Sequence, residues 1–344
     1  MKSLVDRFKN FVANNKLAIQ IRRYLPILIL ISLLVTFFYF VPIQDLLNIF
    51  RNTKPQYLFF GILIIVPFLF LDGMQLRILA DKQNIDLSTI EIVLVNLKIR
   101  FYQMFIPGSV VGGGVRIYYF SQLTKDSIRT LAILSYYRVY NIVLNIIFGG
   151  IFWLISVTEK NVNSYFIIIT AIVIGFLVLS RLPFLSNLLA PHLKKGSDAT
   201  KRTFWNWIRQ KSYEMLIALS AFSELTWIDQ SKMVLYSFLG QLAALLSYYW
   251  LALAIGINIG LADMGWIRAI ILFSLYLPVN ISSGLTVREI GFAALLMASG
   301  IQAEIAGAYS LLVLGRTNLI ALLGGVIELI RVLFSKRNSF QKQE

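Results

Sequence analysis

The sequence predicts an all-α fold, a polytopic membrane protein with about six full transmembrane helices and two re-entrant helical hairpins in an inverted repeat. Hydrophobic residues make up 58% of the 344 residues, and charged residues only 14%. The mean hydropathy is +0.72. A water-soluble globular protein needs more polar surface than this, so the composition excludes that class.

Apolar stretches of membrane-spanning length locate the crossings. We expect them at residues 25–42, 57–80, 141–158, 161–180, 233–262 and 305–333. Four of them are uncharged, whereas the second extends through Asp72 and the last is interrupted by Arg316. The net charge of +15 comes mainly from basic residues in the loops between these stretches. It is therefore attributed to membrane orientation, and no nucleic-acid partner is expected.

The distribution of basic residues also orients the chain, because cytoplasmic loops of membrane proteins carry an excess of Lys and Arg. It predicts an inner cell membrane protein with both termini in the cytoplasm. The expected order is a cytoplasmic basic segment, a first membrane half, a cytoplasmic basic loop, a second membrane half and a cytoplasmic tail, at residues 1–24, 25–182, 183–232, 233–334 and 335–344.

A motif that should break a membrane helix occurs twice. It reads FIPGSVVGGGVR at residues 105–116 and YLPVNISSGLTVRE at residues 276–289. Proline and glycine disfavour a helix, so the chain should leave the helical conformation at these motifs. Non-helical backbone at membrane depth occurs only where it is buried in protein or lines a water-filled cavity. We therefore expect re-entrant segments at 100–120 and 266–300. Two ordinary glycine-rich loops remain the alternative. The expected hinge residues are Pro107, Gly112, Gly113, Gly114, Pro278 and Gly284.

Arginine occurs at membrane depth more often than its cost would suggest. Each central arginine costs about 2.5–3.5 kcal/mol on insertion scales, so such residues should face a polar interior. Acidic counterions are few, namely Asp72, Glu289 and Glu328. The surplus predicts an anion site, since the guanidinium fork suits phosphate. Structural ion pairs and snorkelling to the interface remain the alternative for single arginines. The residues concerned are Arg100, Arg116, Arg138, Arg288 and Arg316.

Other chemistry has little support in the sequence. The chain has no cysteine and a single histidine, so the usual thiolate or histidine-rich metal sites cannot form. We expect no metal, no cofactor and no catalytic residue. Tyrosines crowd the first break, and Tyr102 is a candidate hydrogen-bonding partner for a lipid headgroup.

At these residues the chain resembles the lysylphosphatidylglycerol synthase transmembrane-region family of flippase-like membrane proteins. The matching segments are Arg100 running into IPGSVVGGGVR, LAILSYYRVYNIV with Arg138, and LPVNISSGLTVREIG with Arg288 and Glu289. The chain departs from the family at Gly114, where members often carry an acidic residue. The resemblance implies lipid translocation or service to lipid-linked sugar pathways. Bifunctional relatives carry a soluble aminoacyl transferase domain, which we expect to be absent from this chain because its tail is short.

Together these features predict a translocator of an anionic phospholipid or a polyprenyl-phosphate-linked saccharide, rather than an enzyme. Arg116, Arg288 and Arg316 would bind phosphate with support from Arg100 and Arg138. Glu289 would hold Arg288 or Arg316 when no lipid is bound.

Two alternatives stay open. One is a membrane-embedded lipid-linked sugar transferase with Glu289 or Asp72 as general base. The other is a non-catalytic scaffold with cell-envelope glycan-synthesis enzymes as partners.

The predicted topology can be tested by cysteine accessibility, because the natural chain contains no cysteine. Single cysteines at Ser197 and Ser339 should resist a membrane-impermeant thiol reagent in intact cells, since both positions are expected in the cytoplasm. A cysteine at Asn161 should be labelled. Labelling at all three positions would rule out the predicted orientation and with it the inverted repeat.

Overall fold

The computed structural model describes residues 50–105, 109–156, 204–276 and 287–340, together with Asn48 and Gly175. Within these ranges the regular structure is helical, as predicted, and no strand occurs there. A short 3₁₀ helix, Ala221–Glu224, precedes the helix that begins at Trp227. The helices are α1 Pro55–Leu63, α2 Ile65–Lys82, α3 Thr89–Phe105, α4 Ser109–Thr124, α5 Ser127–Ser156, α6 Phe204–Ser220, α7 Trp227–Ala254, α8 Leu261–Tyr276, α9 Val287–Ala298 and α10 Ala303–Phe340.

Four segments of the described chain are long and apolar enough to cross a membrane. They are Pro55–Lys82, which comprises α1 and α2, Ser127–Ser156, Trp227–Ala254 and Ala303–Ile330. Helices of this length exceed the ~30 Å hydrocarbon core at a rise of ~1.5 Å per residue. They correspond to four of the predicted crossings. The crossings expected at 25–42 and 161–180 lie outside the described residues, except for Gly175.

Large apolar side chains cover the outer faces of these segments. Phe59 and Leu63 on α1 are 61% and 49% exposed, and Leu323 and Leu329 on α10 are 52% and 60% exposed. Apolar surface on this scale would be unfavourable in water but is well solvated by lipid chains. These faces therefore indicate how the bundle contacts the bilayer.

Reciprocal side-chain caps define where two helices begin. At α3 the Ser88 hydroxyl accepts from the backbone N–H of Glu91, and the Glu91 carboxylate accepts from the Ser88 N–H at 2.9 Å. The Ser88 backbone and hydroxyl donors lower the pKa of Glu91. Thr226 and Asp229 make the same capping box at α7. Because Lys82 pairs with Asp229 at 2.9 Å, the end of α2 and the start of α7 lie together.

The helices pack in a reciprocal pattern. Helix α2 packs along α7, so the two lie side by side within the bundle. Helix α3 contacts α4, and α8 contacts α9, which makes two helix pairs. The α3 helix packs against α10, whereas α8 packs against α5. Each helix pair thus contacts a long helix that lies in the other half of the sequence.

Two glycines allow the closest of these contacts. Gly149 of α5 lies against Ala269 of α8, and Gly324 of α10 lies against the carbonyl oxygen of Leu97 in α3. A Cβ atom at either glycine would overlap the neighbouring helix. Membrane helices rely on such small residues for close packing, because the hydrophobic effect does not drive helices together in lipid.

The buried apolar residues form two large clusters. The first joins α2, α3, α5 and the 3₁₀ helix around Leu79, Ile92, Tyr136 and Phe222. The second joins α5, α7, α8, α9 and α10, and its fully buried members include Leu245, Met264, Phe292, Tyr309 and Val313. Polar side chains also link these helices: Asn141 donates to Gln75 at 3.3 Å and accepts from Ser237 at 3.2 Å, which joins α2, α5 and α7.

At each of the two predicted breaks, one helix ends before the break and another begins after it. Helix α3 ends at Phe105 and α4 begins at Ser109, while α8 ends at Tyr276 and α9 begins at Val287. The hinge residues Pro107, Pro278 and Gly284 lie outside the described residues. The glycines at 112–114 lie within α4, so this triplet is helical.

We expect Gly324→Val to destabilise the protein by about 1–3 kcal/mol, because the new side chain must separate α10 from α3. The melting temperature of the detergent-purified protein measures the effect. Gly315→Ala is the matched control, since Gly315 lies on the same helix and a Cβ there meets no atom within 4 Å. It should be neutral or stabilising by up to about 1 kcal/mol. Equal melting of Gly324→Val and the wild type would contradict close packing at this contact.

Candidate functional site

The first polar group within the bundle is built around Asp72 on α2. Its Oδ2 accepts a hydrogen bond from Asn96 Nδ2 on α3 at 3.1 Å, and its Oδ1 accepts one from the Tyr137 hydroxyl on α5. Arg100 and Arg116 both lie within electrostatic range of this carboxylate. Asn96 and Arg100 share one face of α3 because they are four residues apart.

Arg116 is positioned by aromatic rings as well as by charge. Its guanidinium carbon lies 5.2 Å from the centroid of the Tyr137 ring and 5.8 Å from that of Phe120. Both distances suit a cation–π interaction. The same Tyr137 therefore donates to Asp72 through its hydroxyl and supports Arg116 through its ring.

The second polar group surrounds Tyr248 on α7. The guanidinium carbon of Arg316 lies 4.2 Å from the Tyr248 ring centroid, and that of Arg268 lies 5.7 Å from it. Neighbouring residues of α7 hold both arginines: Ser247 Oγ accepts from Arg316 Nη1 at 2.6 Å, and Gln241 Oε1 accepts from Arg268 Nη2 at 2.7 Å. The tyrosine itself stacks on a buried phenylalanine of α9, with 5.1 Å between ring centroids.

Glu289 is the acidic member of this second group. Arg288 donates from Nε to Glu289 Oε1 at 2.6 Å and also from Nη2 to the same oxygen. Glu289 is fully buried, and its carbonyl oxygen accepts from the Ser310 hydroxyl on α10 at 2.8 Å. Arg288 also interacts electrostatically with Tyr248. The start of α9 is thus attached to α10 while Arg288 faces the tyrosine.

Arg100 connects the two groups, because it lies within electrostatic range of Asp72 and Arg116 and also of Tyr248 and Arg316. We call Arg100 and Arg116 the Asp72 set, and Arg268, Arg288 and Arg316 the Tyr248 set. Among the described residues these five arginines face two carboxylates, which leaves a formal surplus of three positive charges. We call the two sets together the arginine cluster.

Three residues named from the sequence, Tyr102, Arg138 and Glu328, have other surroundings. Tyr102 stacks on Tyr119, with 5.1 Å between ring centroids, and the Lys98 ammonium lies 4.6 Å from the Tyr119 ring centroid. Lys98 also pairs with Glu328 at 2.5 Å, so that carboxylate is not a counterion of the arginine cluster. Arg138 is exposed on α5, although the preceding residue, Tyr137, contacts Asp72.

The structure adds three residues that sequence reasoning missed, namely Arg268, Gln241 and Tyr248. Arg268 interrupts the apolar stretch MGWIRAIILF, and Gln241 lies within another apolar stretch. The argument that drew attention to Arg316 applies equally to both, since a polar residue within a membrane helix is costly. No comparable signal marks Tyr248. Among the described residues no three His, Cys, Asp or Glu side chains gather into a metal-binding group.

The Arg288–Glu289 pair yields a stability prediction. Arg288→Gln removes the guanidinium that neutralises a buried carboxylate, so it should lower stability by about 3–5 kcal/mol. The double variant Arg288→Gln with Glu289→Gln removes both charges and should regain most of the melting temperature. A double variant that melts as low as Arg288→Gln would mean that the pair does not account for the loss.

Comparison with known proteins agrees with the membrane character of these helices. No curated protein and no solved structure matches the chain. The family model described as "Lysylphosphatidylglycerol synthase TM region" matches residues 24–325, which cover most of the chain and the whole arginine cluster. The chain therefore belongs to the lysylphosphatidylglycerol synthase TM-region family of membrane proteins.

Proposed function

We propose that the protein binds an anionic lipid at the arginine cluster and moves its headgroup between the leaflets of the inner cell membrane. The lipid is an anionic phospholipid or a polyprenyl-phosphate-linked saccharide. The observation that carries the proposal is the surplus of three positive charges among membrane-spanning helices. If these arginines only held helices together, each would be more stable with a carboxylate partner, because an uncompensated charge at membrane depth is unfavourable.

The chemistry of the cluster suits phosphate. A guanidinium presents two parallel donors to a pair of phosphate oxygens, and it does so more strongly than a neutral donor. Arg316 is held at Nη1 by Ser247, and its buried Nε has no hydrogen-bond partner among the described residues. A phosphate oxygen beside Arg316 would supply that acceptor.

Carboxylates supply temporary counterions in the absence of lipid. Glu289 holds Arg288 through two donors, and Asp72 lies within range of Arg100 and Arg116. When a phosphate arrives it competes with these carboxylates for the same donors. The exchange leaves Arg288 with an anionic partner in both states, which limits the cost of releasing the lipid.

An inverted repeat would allow the conformational change that moves the headgroup. In our assignment α2, the α3/α4 pair and α5 correspond to α7, the α8/α9 pair and α10. Two features support it: α3 packs on α10 as α8 packs on α5, and Gly149 and Gly324 occupy comparable places in these contacts. The proline breaks at 107 and 278 then form two re-entrant hairpins that open from opposite sides, in a protein with six crossings and cytoplasmic termini.

Lipid binding and translocation by Arg288 variants test this proposal. Arg288→Lys keeps the charge but loses the two-donor fork, so we expect copurified anionic lipid, measured by native mass spectrometry, to fall at least about tenfold. The rate at which a fluorescent anionic lipid moves between the leaflets of proteoliposomes should fall as well. Arg77→Lys is the matched control, because Arg77 is exposed on α2 and pairs only loosely with Asp81, at 4.0 Å.

The Arg288→Gln, Glu289→Gln double variant provides the counter-test. If Arg288 binds lipid, the double variant should be stable but poor in bound lipid and inactive in transfer. A double variant that is stable, active and still contains bound lipid would show that Arg288 does not bind the lipid and that the Arg288–Glu289 pair is a structural contact.

A further inference from the structure

The carboxylate of Asp72 accepts hydrogen bonds from neutral donors and is compensated by arginines. Asn96 Nδ2 donates to Oδ2 at 3.1 Å and the Tyr137 hydroxyl donates to Oδ1, while Arg100 and Arg116 lie within electrostatic range. We propose that Asp72 is a proton-binding site, which takes up about one proton when an anionic headgroup binds at Arg100 and Arg116. The proposal rests on the function proposed above and adds to it the control of lipid binding by pH.

The surroundings of Asp72 are supplied by the helices that pack against α2, namely α1, α3, α5, α7 and the 3₁₀ helix, and by α4 beyond them. The charged groups that act on the carboxylate are Arg100 from α3 and Arg116 from α4. Helix α5 contributes the Tyr137 hydroxyl. Within the described parts of the chain, α1, α7 and the 3₁₀ helix contribute no charged group to it. Compensation of Asp72 therefore depends on two guanidinium groups that are also proposed to face the lipid phosphate.

Competition for these guanidinium groups links the anion to the proton. A phosphate that accepts from Arg100 or Arg116 takes positive charge away from Asp72, and its own negative charge disfavours the ionised carboxylate. An ionised carboxylate left with neutral donors alone is unfavourable away from water, and a proton removes that cost. The linkage is reciprocal, so a proton on Asp72 releases the arginines and strengthens anion binding.

The neutral form of Asp72 also finds hydrogen-bond partners in this site. A protonated carboxyl group needs an acceptor for its O–H, and a tyrosine hydroxyl accepts as well as donates. The Tyr137 side chain is buried, so its hydroxyl stays beside Oδ1 and can accept from it after the O–H bond rotates. Asn96 continues to donate to the other oxygen, which stays an acceptor. The same two neighbours therefore accommodate both protonation states.

Glu289, the carboxylate of the Tyr248 set, is less suited to bind a proton. It is fully buried, whereas Asp72 is half-buried, so water reaches Asp72 more readily. Glu289 also accepts from both Nε and Nη2 of Arg288, the adjacent residue in the chain. Direct hydrogen bonds from a guanidinium favour the ionised form of a carboxylate. The two carboxylates are thus distinguishable by substitution.

Calorimetric titration of the full-length, detergent-purified protein tests the proposal. The probes are phosphatidylglycerol and polyprenyl-phosphate-linked mannose. Both are phosphodiesters whose charge is constant near neutral pH, so any pH-dependence of their binding comes from the protein. Heats measured in two buffers of different ionisation enthalpy give the number of protons taken up. For the wild type we expect about one proton per bound lipid, and binding that tightens by up to about tenfold for each unit by which the pH is lowered.

Asp72→Asn imitates the protonated carboxyl group in shape and charge. It should bind the same lipid at least as tightly as the wild type, with no proton uptake and little dependence on pH. The matched control is Asp81→Asn, the same change at an exposed position of α2, whose ion pair with Arg77 is loose at 4.0 Å. Asp81→Asn and Glu289→Gln should both take up a proton as the wild type does.

Wild-type binding without proton uptake would overturn the proton site and leave the proposed function intact. Uptake that persists in Asp72→Asn, or that is lost in Glu289→Gln, would also overturn it, because the proton would then bind at another group. Failure of both lipids to bind the wild type would overturn the proposed function, and the proton site with it. The proton counts of the wild type and Glu289→Gln decide the question even if Asp72→Asn does not fold.

Discussion

Compensation of arginine charge away from water is the constraint on which the interior of this protein depends. Lipid chains supply neither hydrogen-bond acceptors nor counterions, so a buried guanidinium depends on partners within the protein. The chain uses three kinds of partner. Carboxylates face Arg100 and Arg288, neutral oxygens of Ser247 and Gln241 hold Arg316 and Arg268, and aromatic rings cover the remaining guanidinium faces. The helices that supply these partners are the ones that must pack together.

Tyr248 shows how one side chain can serve several of these needs. Its ring faces Arg316 and Arg268, and Phe292 stacks on it. The Tyr248 carbonyl oxygen also accepts from the hydroxyl of buried Tyr309 at 3.1 Å. An aromatic ring attracts cations without adding a formal negative charge. The arginine cluster is therefore stabilised while its positive character is retained.

Much of the fold could be predicted from local sequence, but the direction in which individual side chains point could not. Apolar runs located the segments now described as Pro55–Lys82, Ser127–Ser156, Trp227–Ala254 and Ala303–Ile330, because crossing a bilayer requires length and hydrophobicity alone. Which arginine turns inward depends on helix rotation. Arg138 and Tyr137 are adjacent, yet Arg138 is exposed while the tyrosine reaches Asp72, since neighbouring residues point about 100° apart on a helix. The contact of Gly324 with Leu97 joins residues too distant in sequence for any local pattern to predict.

Ser247 carries a consequence of its own. A hydroxyl has one proton to donate, and here that proton goes to the carbonyl oxygen of Gly61 in α1, while a lone pair receives Arg316. The two bonds polarise each other, so the Arg316 bond strengthens the bond to Gly61 and its loss weakens it. A helix whose side chains face the bilayer is thereby coupled, through one hydroxyl, to a buried arginine of α10.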